Sequence, residues 1–238
     1  MSDIARRLVA VNREFYQTLA APFDSTRGRV QPGVQRLLER VSPDGAVADL
    51  GCGNGNAARF LAGRGFHGRY AGFDLSPALL EIARAGPYPF SVSFQRADFS
   101  EEGWDRPIPE GSFDAILAFA VLHHIPGEEG RLAFLRACRR LIAPQGSLFL
   151  STWRFDRREK LRGRIAAWSQ IGLADSDVDP GDYLLDWRHE GSGLRYVHLI
   201  DDRERGVLAA RASFAETEFF QSDGKEGNLA DYAVWAPS

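Results

Sequence analysis

Asp49, Asp74 and Asp98 each stand at the C-terminal end of a strand-like run, and the first is soon followed by Gly51, Gly53 and Gly55. Glycines in that place allow a tight turn and let a ligand approach the backbone closely. A helix starting just beyond would aim its unpaired N–H groups at the same ligand. Asp74, 25 residues after Asp49, holds the position from which a carboxylate can accept both hydroxyls of a ribose. Asp98 ends the next run, Gln95-Arg96-Ala97-Asp98. Singly, each acid could be a helix cap or a turn residue. Three in register behind a glycine loop point to a ligand-binding edge. A dinucleotide fingerprint would need glycine at position 56, where Asn56 stands, and a P-loop would need Gly-Lys-Ser/Thr. What remains is Asp-x-Gly-x-Gly-x-Gly.

Two other residue types invite a chemical reading. His123 and His124 follow the apolar run 113–119, and an imidazole titrates near neutrality, so His123 is a candidate general base. It could equally be a packing residue that hydrogen-bonds the edge of a sheet. If the segment is extended, His124 points the other way and is structural. Cys52 lies in the glycine loop and Cys138 in a helical pattern; both read as small buried residues. Two cysteines make neither a disulfide framework nor a four-ligand zinc site.

The elements that must position these residues alternate. Apolar runs at 46–50, 70–73, 92–95, 113–119 and 147–152 read as strands, and 56–62, the stretch after Ser76-Pro77, and 131–141 read as helices. Ser76 suits an N-cap. Such alternation predicts right-handed β-α-β units around a parallel sheet. Ahead of it, Ile4, Leu8, Val11 and Phe15 have helical spacing, and Pro32 opens a second helix with Val34, Leu37, Leu38 and Val41. A helix-like stretch at 203–211 precedes strands at 213–221 and 229–235, separated by a polar turn, which predicts an antiparallel hairpin at the sheet edge. The organisation expected is N-terminal helices over the site (1–44), then one α/β domain (45–238) with a cap-like insertion at about 153–200.

Length and composition narrow the setting. The chain has 238 residues, 44% hydrophobic and 26% charged, which suits an ordinary globular core and excludes collagen and disorder. No stretch approaches the ~20 apolar residues of a membrane span, and the first residues do not resemble a secretory signal, so a cytoplasmic location away from membranes is expected. A net charge of −3 argues against an all-round basic surface. The charge is uneven, however. Segment 154–164 holds six basic residues against two acidic ones, enough to grip phosphates unless it is simply a solvated helix face; 175–190 holds six acidic against one basic.

The stretch 45–152, which carries these residues, resembles the class I S-adenosylmethionine-dependent methyltransferases. VADLGCGNG is similar to their first motif, FDLS to the acidic loop after strand two, and RADF to the adenine-contacting segment. FDAILAFAVLHHI resembles strand four and its exit, and LIAPQGSLFLSTW the approach to strand five. The resemblance implies a Rossmann-like, seven-stranded, mostly parallel α/β sheet whose last strand is antiparallel. It implies S-adenosyl-L-methionine as cofactor, held by Arg27, Asp49, Gly51, Cys52, Gly53, Asp74, Leu75, Ala97, Asp98, Phe99 and Ala118. In that set Asp74 would take the ribose diol, Asp98 the adenine amino group, and Asp49 the loop or a water facing the methionine amine. No metal is implied.

A narrower resemblance lies outside that core. Phe23-Asp24-Ser25-Thr26-Arg27 and the block Asp186-Trp187 with Arg195-Tyr196-Val197-His198 resemble segments of the tRNA wobble-uridine carboxymethyl methyltransferases. Asp186 stands for that family's proline and Val197 for its second tyrosine. The implied reaction is esterification of a carboxylate on a modified wobble uridine of tRNA. A carboxylate is already ionised at neutral pH, so it needs orientation by Arg27, Arg195, Tyr196 or His198 rather than a base. The family's eukaryotic members use a small zinc-binding activator protein, which adds a partner to consider. Two alternatives stay open: methylation of a small-molecule carboxyl or hydroxyl, and a non-catalytic cofactor-binding module that activates another methyltransferase.

Overall fold

Helices α1 (Asp3–Thr18) and α2 (Pro32–Leu38) precede strand β1 (Ala46–Leu50). Then α3 (Asn56–Gly63), β2 (Arg69–Asp74), α4 (Pro77–Arg84), β3 (Ser91–Arg96), β4 (Phe113–Phe119), α5 (Glu128–Leu141) and β5 (Ile142–Trp153) follow in alternation. After β5 come the one-turn helix α6 (Glu159–Arg162) and strands β6 (Ile165–Ala166), β7 (Asp182–Trp187) and β8 (Gly193–His198). Helix α7 (Asp202–Arg211) and strands β9 (Phe214–Ser222) and β10 (Ala230–Pro237) close the sequence of elements. The structure, a computed structural model, describes residues 1–18, 29–187 and 193–238.

The main sheet has seven strands in the order β3-β2-β1-β4-β5-β10-β9. The first five run parallel; β10 is antiparallel to β5, and β9 to β10. The expected terminal hairpin is therefore present, with β10 inserted beside β5 and β9 at the edge. Strands of such a sheet are buried on both faces, which is why β1 is apolar at every position except Asp49. Ala48, Leu50 and Ile116 pack toward α5 and α7, while Val47, Leu117 and Phe149 pack toward α2, α3 and α4. Ser76 caps α4 as expected, its hydroxyl accepting from Leu79 N–H at 3.4 Å. Asp201 caps α7 in the same way, accepting from Glu204 N–H at 2.7 Å. Helix α2 stops at Leu38, so Val41 sits in the following turn.

A second sheet, β6-β7-β8, is antiparallel. Helix α1 lies against it through Leu8, which joins Trp168, Leu173, Leu184 and Tyr196 in one buried cluster. Asn12, buried on the same helix, accepts from Tyr196 N–H at 2.8 Å and donates to the carbonyl of His124 at 3.3 Å. One polar side chain thus ties α1, β8 and the exit of β4 together.

Three of the six basic residues after β5, Arg154, Arg157 and Arg158, are folded inward, while Lys160 and Arg162 are exposed. Asp231 on β10, buried, accepts from Arg154 and from Arg157, each at 2.7 Å. Arg154 also pairs with Asp156, and Arg158 with Glu226. Neither a solvated helix face nor a row of open phosphate ligands describes these three arginines. The buried carboxylate of Asp231, brought from the distant β9–β10 hairpin, engages two of them, and this sequence-distant pairing is invisible in a local charge count.

Candidate active site

The order of strands reverses at β1, and there the C-terminal ends of the parallel strands part to form a crevice, the usual ligand position in an open α/β sheet. A cavity of about 530 Å³ occupies it. Its floor is the glycine loop and the ends of β1 to β4. Its walls include Tyr16 from α1 and Trp187 and Arg195 from the second sheet.

The loop is fixed from β2. The carbonyl of Phe73 accepts from Gly51 N–H at 2.7 Å and from Cys52 N–H at 3.0 Å. Gly51, Gly53 and Gly55 all have positive φ, which side-chain-bearing residues seldom adopt. At Gly51 an added Cβ would lie 2.5 Å from a methyl of Val121; at Gly53 it would meet nothing within 4 Å. Gly51 is therefore a packing glycine, whereas Gly53 leaves open space over the loop. Asp74 accepts from Gly53 N–H at 2.8 Å through one oxygen and from Ser76 N–H at 2.9 Å through the other. These two bonds orient the Asp74 carboxylate beside the loop.

Asp49 is buried at the end of β1. Burial pushes its carboxyl up to about 7; the Tyr70 hydroxyl donates to it and opposes the shift, while the charge of Asp74 adds to it. Asp98 shows the opposite balance. Burial raises its carboxyl, but the Ser100 hydroxyl and N–H and the Arg13 guanidinium more than offset this and hold it below the usual range. Arg13 reaches Asp98 at 2.5 Å, so α1 is pinned over the end of β3.

The exit of β4 is a 3-10 turn, Leu122–His124, and not an extended segment. The condition for the two histidines to face opposite ways, an extended segment, is therefore not met. Both line the cavity, with ring centres 4.3 Å apart. His123 is buried and its Nδ1 accepts from the Trp153 N–H at 3.3 Å, the sheet-edge bond that was one of its two readings. His124 bonds the Tyr196 carbonyl through Nδ1 at 3.0 Å and the Tyr16 hydroxyl through Nε2 at 2.9 Å. A carbonyl only accepts, so Nδ1 of His124 carries the proton there.

Arg195 supplies the cation of the opposite wall. It is buried, and its guanidinium lies 4.7 Å from the ring centre of Trp153, 5.2 Å from Phe15 and 5.9 Å from Trp187. Aromatic faces attract a cation and keep water off it. A desolvated guanidinium with a planar fork matches a carboxylate.

Of the residues singled out from sequence, Asp49, Gly51, Cys52, Gly53, Asp74, Leu75, Asp98, Phe99, His123 and Arg195 border the cavity. Cys52 does so with a buried thiol whose pKa burial drives far up, so it is not a nucleophile. Ala97 and Ala118 lie in the hydrophobic core instead; Phe119 and Ala120 form the lining at that point. Tyr196 and His198 do not border it either. Side chains alternate along a strand, so with Arg195 facing the cavity, Tyr196 and His198 cannot both join it. Both are bonded to Asp182 instead, at 2.7 Å each. Arg27, with the rest of Phe23-Asp24-Ser25-Thr26-Arg27, lies outside the described residues. The sequence reading missed Arg13 and Tyr16, because they interrupt the apolar spacing of α1 and look like its solvent face. It also missed the partners of Arg195, for which no local signal exists.

Residues 23–199 match the profile of a family described as "Methyltransferase domain". The mouse protein named tRNA (carboxymethyluridine(34)-5-O)-methyltransferase ALKBH8 is 28% identical over 184 residues, 75% of this chain and 26% of that protein. The ubiquinone biosynthesis O-methyltransferase of Xanthomonas campestris pv. campestris (strain B100) is 38% identical over 117 residues, 49% of this chain and 46% of that protein. The chain thus spans about a quarter of the first and just under half of the second. Among solved structures, a methyltransferase in complex with the Haloferax volcanii Trm112 methyltransferase activator superposes with a TM-score of 0.67 at 17% identity, covering 94% of this chain and 96% of that one.

Proposed function

We propose that this chain, which belongs to the methyltransferase-domain family, transfers a methyl group from S-adenosylmethionine to a carboxylate, that of a carboxymethylated wobble uridine in tRNA. The observation that carries the acceptor is Arg195, a buried guanidinium walled by three aromatic rings across the cavity from the glycine loop. The likeness to a tRNA (carboxymethyluridine(34)-5-O)-methyltransferase supports the same reading.

The residues present fit the cofactor. The space above Gly53 is what a closely apposed ligand requires, and a Cβ would intrude on it. Asp74, oriented by two backbone N–H groups, would hold the ribose hydroxyls, and the end of β3 with Asp98 and Phe99 the adenine. Asp49 would hold the loop or a water facing the amine of the methionine part. When bound, the cofactor supplies a methyl group on a positively charged sulfur. The chain's own tasks are then to desolvate the acceptor and aim it. Arg195 orients the carboxylate, and the rings around it exclude water. No proton has to leave a carboxylate ionised at neutral pH, so neither His123 nor His124 needs to act as a base.

A small activator protein is a fitting partner, given the solved neighbour in complex with an activator. Among the described residues no helix is long and apolar enough to cross a membrane, and a cytoplasmic location suits a tRNA acceptor. The likeness to a ubiquinone biosynthesis O-methyltransferase favours a second reading, a small-molecule acceptor, which differs in needing a base for a hydroxyl. The two separate in a transfer assay with labelled S-adenosylmethionine and anticodon stem-loops carrying either 5-carboxymethyluridine or its carboxamide. Transfer to the acid alone, weakened at least tenfold in KM by Arg195→Gln, supports the carboxylate reading. Failure to label the acid while a phenolic acceptor is labelled overturns it.

A further inference from the structure

His198 sits on the far side of β8 from the cavity, and its surroundings assign it a different task from contact with the acceptor. Its Nδ1 lies 2.7 Å from an oxygen of Asp182, directly across on β7, and its Nε2 lies 2.8 Å from an oxygen of Glu204 on α7. A neutral imidazole has one N–H, so one of these contacts would set a lone pair against a carboxylate. Both are attractive only when the ring is an imidazolium.

The groups facing it come from four elements. Asp182 also accepts the Tyr196 hydroxyl from β8 at 2.7 Å, and its second oxygen accepts from Asp179 N–H at 3.1 Å. Glu204 pairs with Arg131 of α5 at 2.9 Å, and Arg131 is itself buried. Asp182 and Glu204 thus balance His198 and Arg131, two charges against two. Loss of the proton from His198 would leave the cluster with one excess buried negative charge, a costly arrangement. Burial and Arg131 lower the pKa of His198, but the bonds to Asp182 and Glu204 outweigh them and hold it above its ordinary value of 6.5.

The mechanical consequence follows from where the partners belong. Glu204 lies in the first turn of α7, whose Leu208 and Ala209 are part of the main core. Asp182 and His198 belong to the second sheet. Arg195 is three residues from His198 on the same strand, facing the cavity. We propose that His198 is a positioning residue: as an imidazolium between Asp182 and Glu204 it bolts β8 to α7 and thereby fixes Arg195 at the acceptor end of the cavity. This inference rests on the reading of Arg195 as the acceptor anchor. It makes acceptor binding weaken as pH rises through the pKa of His198, while cofactor binding, at the glycine loop, is not sensitive to His198.

The test uses the full chain with three readouts: amide hydrogen exchange of β7 and β8 corrected for intrinsic pH effects, titration calorimetry with S-adenosylmethionine, and steady-state transfer to the 5-carboxymethyluridine stem-loop. In the wild type, protection of β8 is expected to fall as pH rises through the pKa of His198, with acceptor KM rising at least fivefold over the same interval and kcat changing less than threefold. His198→Gln is expected to show the high-pH behaviour at every pH, with cofactor Kd within twofold of wild type, and His198→Lys to recover part of the protection. If His198→Gln does not fold, the wild-type titration carries the test. Protection of β8 independent of pH, or an acceptor KM that does not follow it, overturns the bolt. Arg195→Gln separates the two claims. A KM unmoved by Arg195→Gln, with β8 protection still following His198, would refute Arg195 as anchor and leave the bolt standing; a KM raised by Arg195→Gln with β8 unresponsive would do the reverse.

Discussion

The hydroxyl of Tyr70 on β2 donates to the carboxylate of Asp49 on the adjacent strand β1, inside the core and just ahead of the glycine loop. This is the bond that keeps Asp49 from being driven still higher by burial; as it stands, the carboxyl is held at about 7. Above that pH Asp49 is an anion, able to attract an ammonium group; below it the attraction is lost. Affinity for S-adenosylmethionine should therefore weaken as pH is lowered from about 8 to about 6, by a factor of roughly ten at most. Tyr70→Phe removes the opposing hydrogen bond and should move the midpoint to higher pH. Calorimetric titration across that range checks both, and a pH-independent affinity would rule out Asp49 as the ammonium partner.

Gly51 and Gly53 should respond differently to the same substitution. Gly51→Ala places a Cβ 2.5 Å from Val121 at φ +81°, so it should destabilise the fold by about 2 kcal/mol, read as a lowered midpoint of urea unfolding. Gly53→Ala meets no protein atom within 4 Å and carries the backbone penalty alone, about 1 kcal/mol. Its larger effect should be on the cofactor, with affinity reduced tenfold or more. Equal effects on stability and binding at both positions would contradict the division between a packing glycine and a ligand-facing one.

How much of this was legible in the sequence depended on the range of the interaction. The β1 to loop to β2 unit is local: apolar run, glycines and acid lie within 30 residues and read correctly as strand, turn and strand. The hairpin of β9 and β10 was legible for the same reason. The 3-10 turn at Leu122–His124 was not, because a short apolar-then-His segment suits extended and turned backbone equally well. Strand parity was the second limit. Arg195-Tyr196-Val197-His198 was recognisable as a unit, but only the packing of the second sheet decides that Arg195 faces the cavity. The third limit was long-range charge pairing. Asp231 lies 77 residues from Arg154, and nothing near either one in the sequence announces the other.

Asp231 provides a stability prediction of its own. It is buried and binds two arginines, so Asp231→Asn leaves two partly buried cations facing a neutral group. The cost should be about 3 kcal/mol, a fall in Tm of roughly 6–12 °C for a domain of this size. Calorimetric melting measures it. A loss under 1 kcal/mol would show that the arginines are held by other contacts.

Salt dependence tests the reach of the basic segment. With Arg154, Arg157 and Arg158 engaged by Asp231, Asp156 and Glu226, fewer cations near the mouth are left to neutralise phosphates. Each phosphate contact contributes a slope of about −0.7 to −0.9 in log K against log salt. The slope for tRNA binding should therefore be about −3 or shallower, measured by fluorescence anisotropy. A slope near −6 would mean that the arginines leave their internal partners when tRNA binds.

For a wobble-uridine carboxylate as the methyl acceptor, the decisive measurement is mass spectrometry of tRNA nucleosides from cells lacking this gene beside the parent strain. The methyl ester of the carboxymethylated wobble uridine is expected to disappear and the free acid to accumulate in its place, with the ester restored by the wild-type chain and not by Arg195→Gln. Wobble uridines identical in the two strains would contradict it.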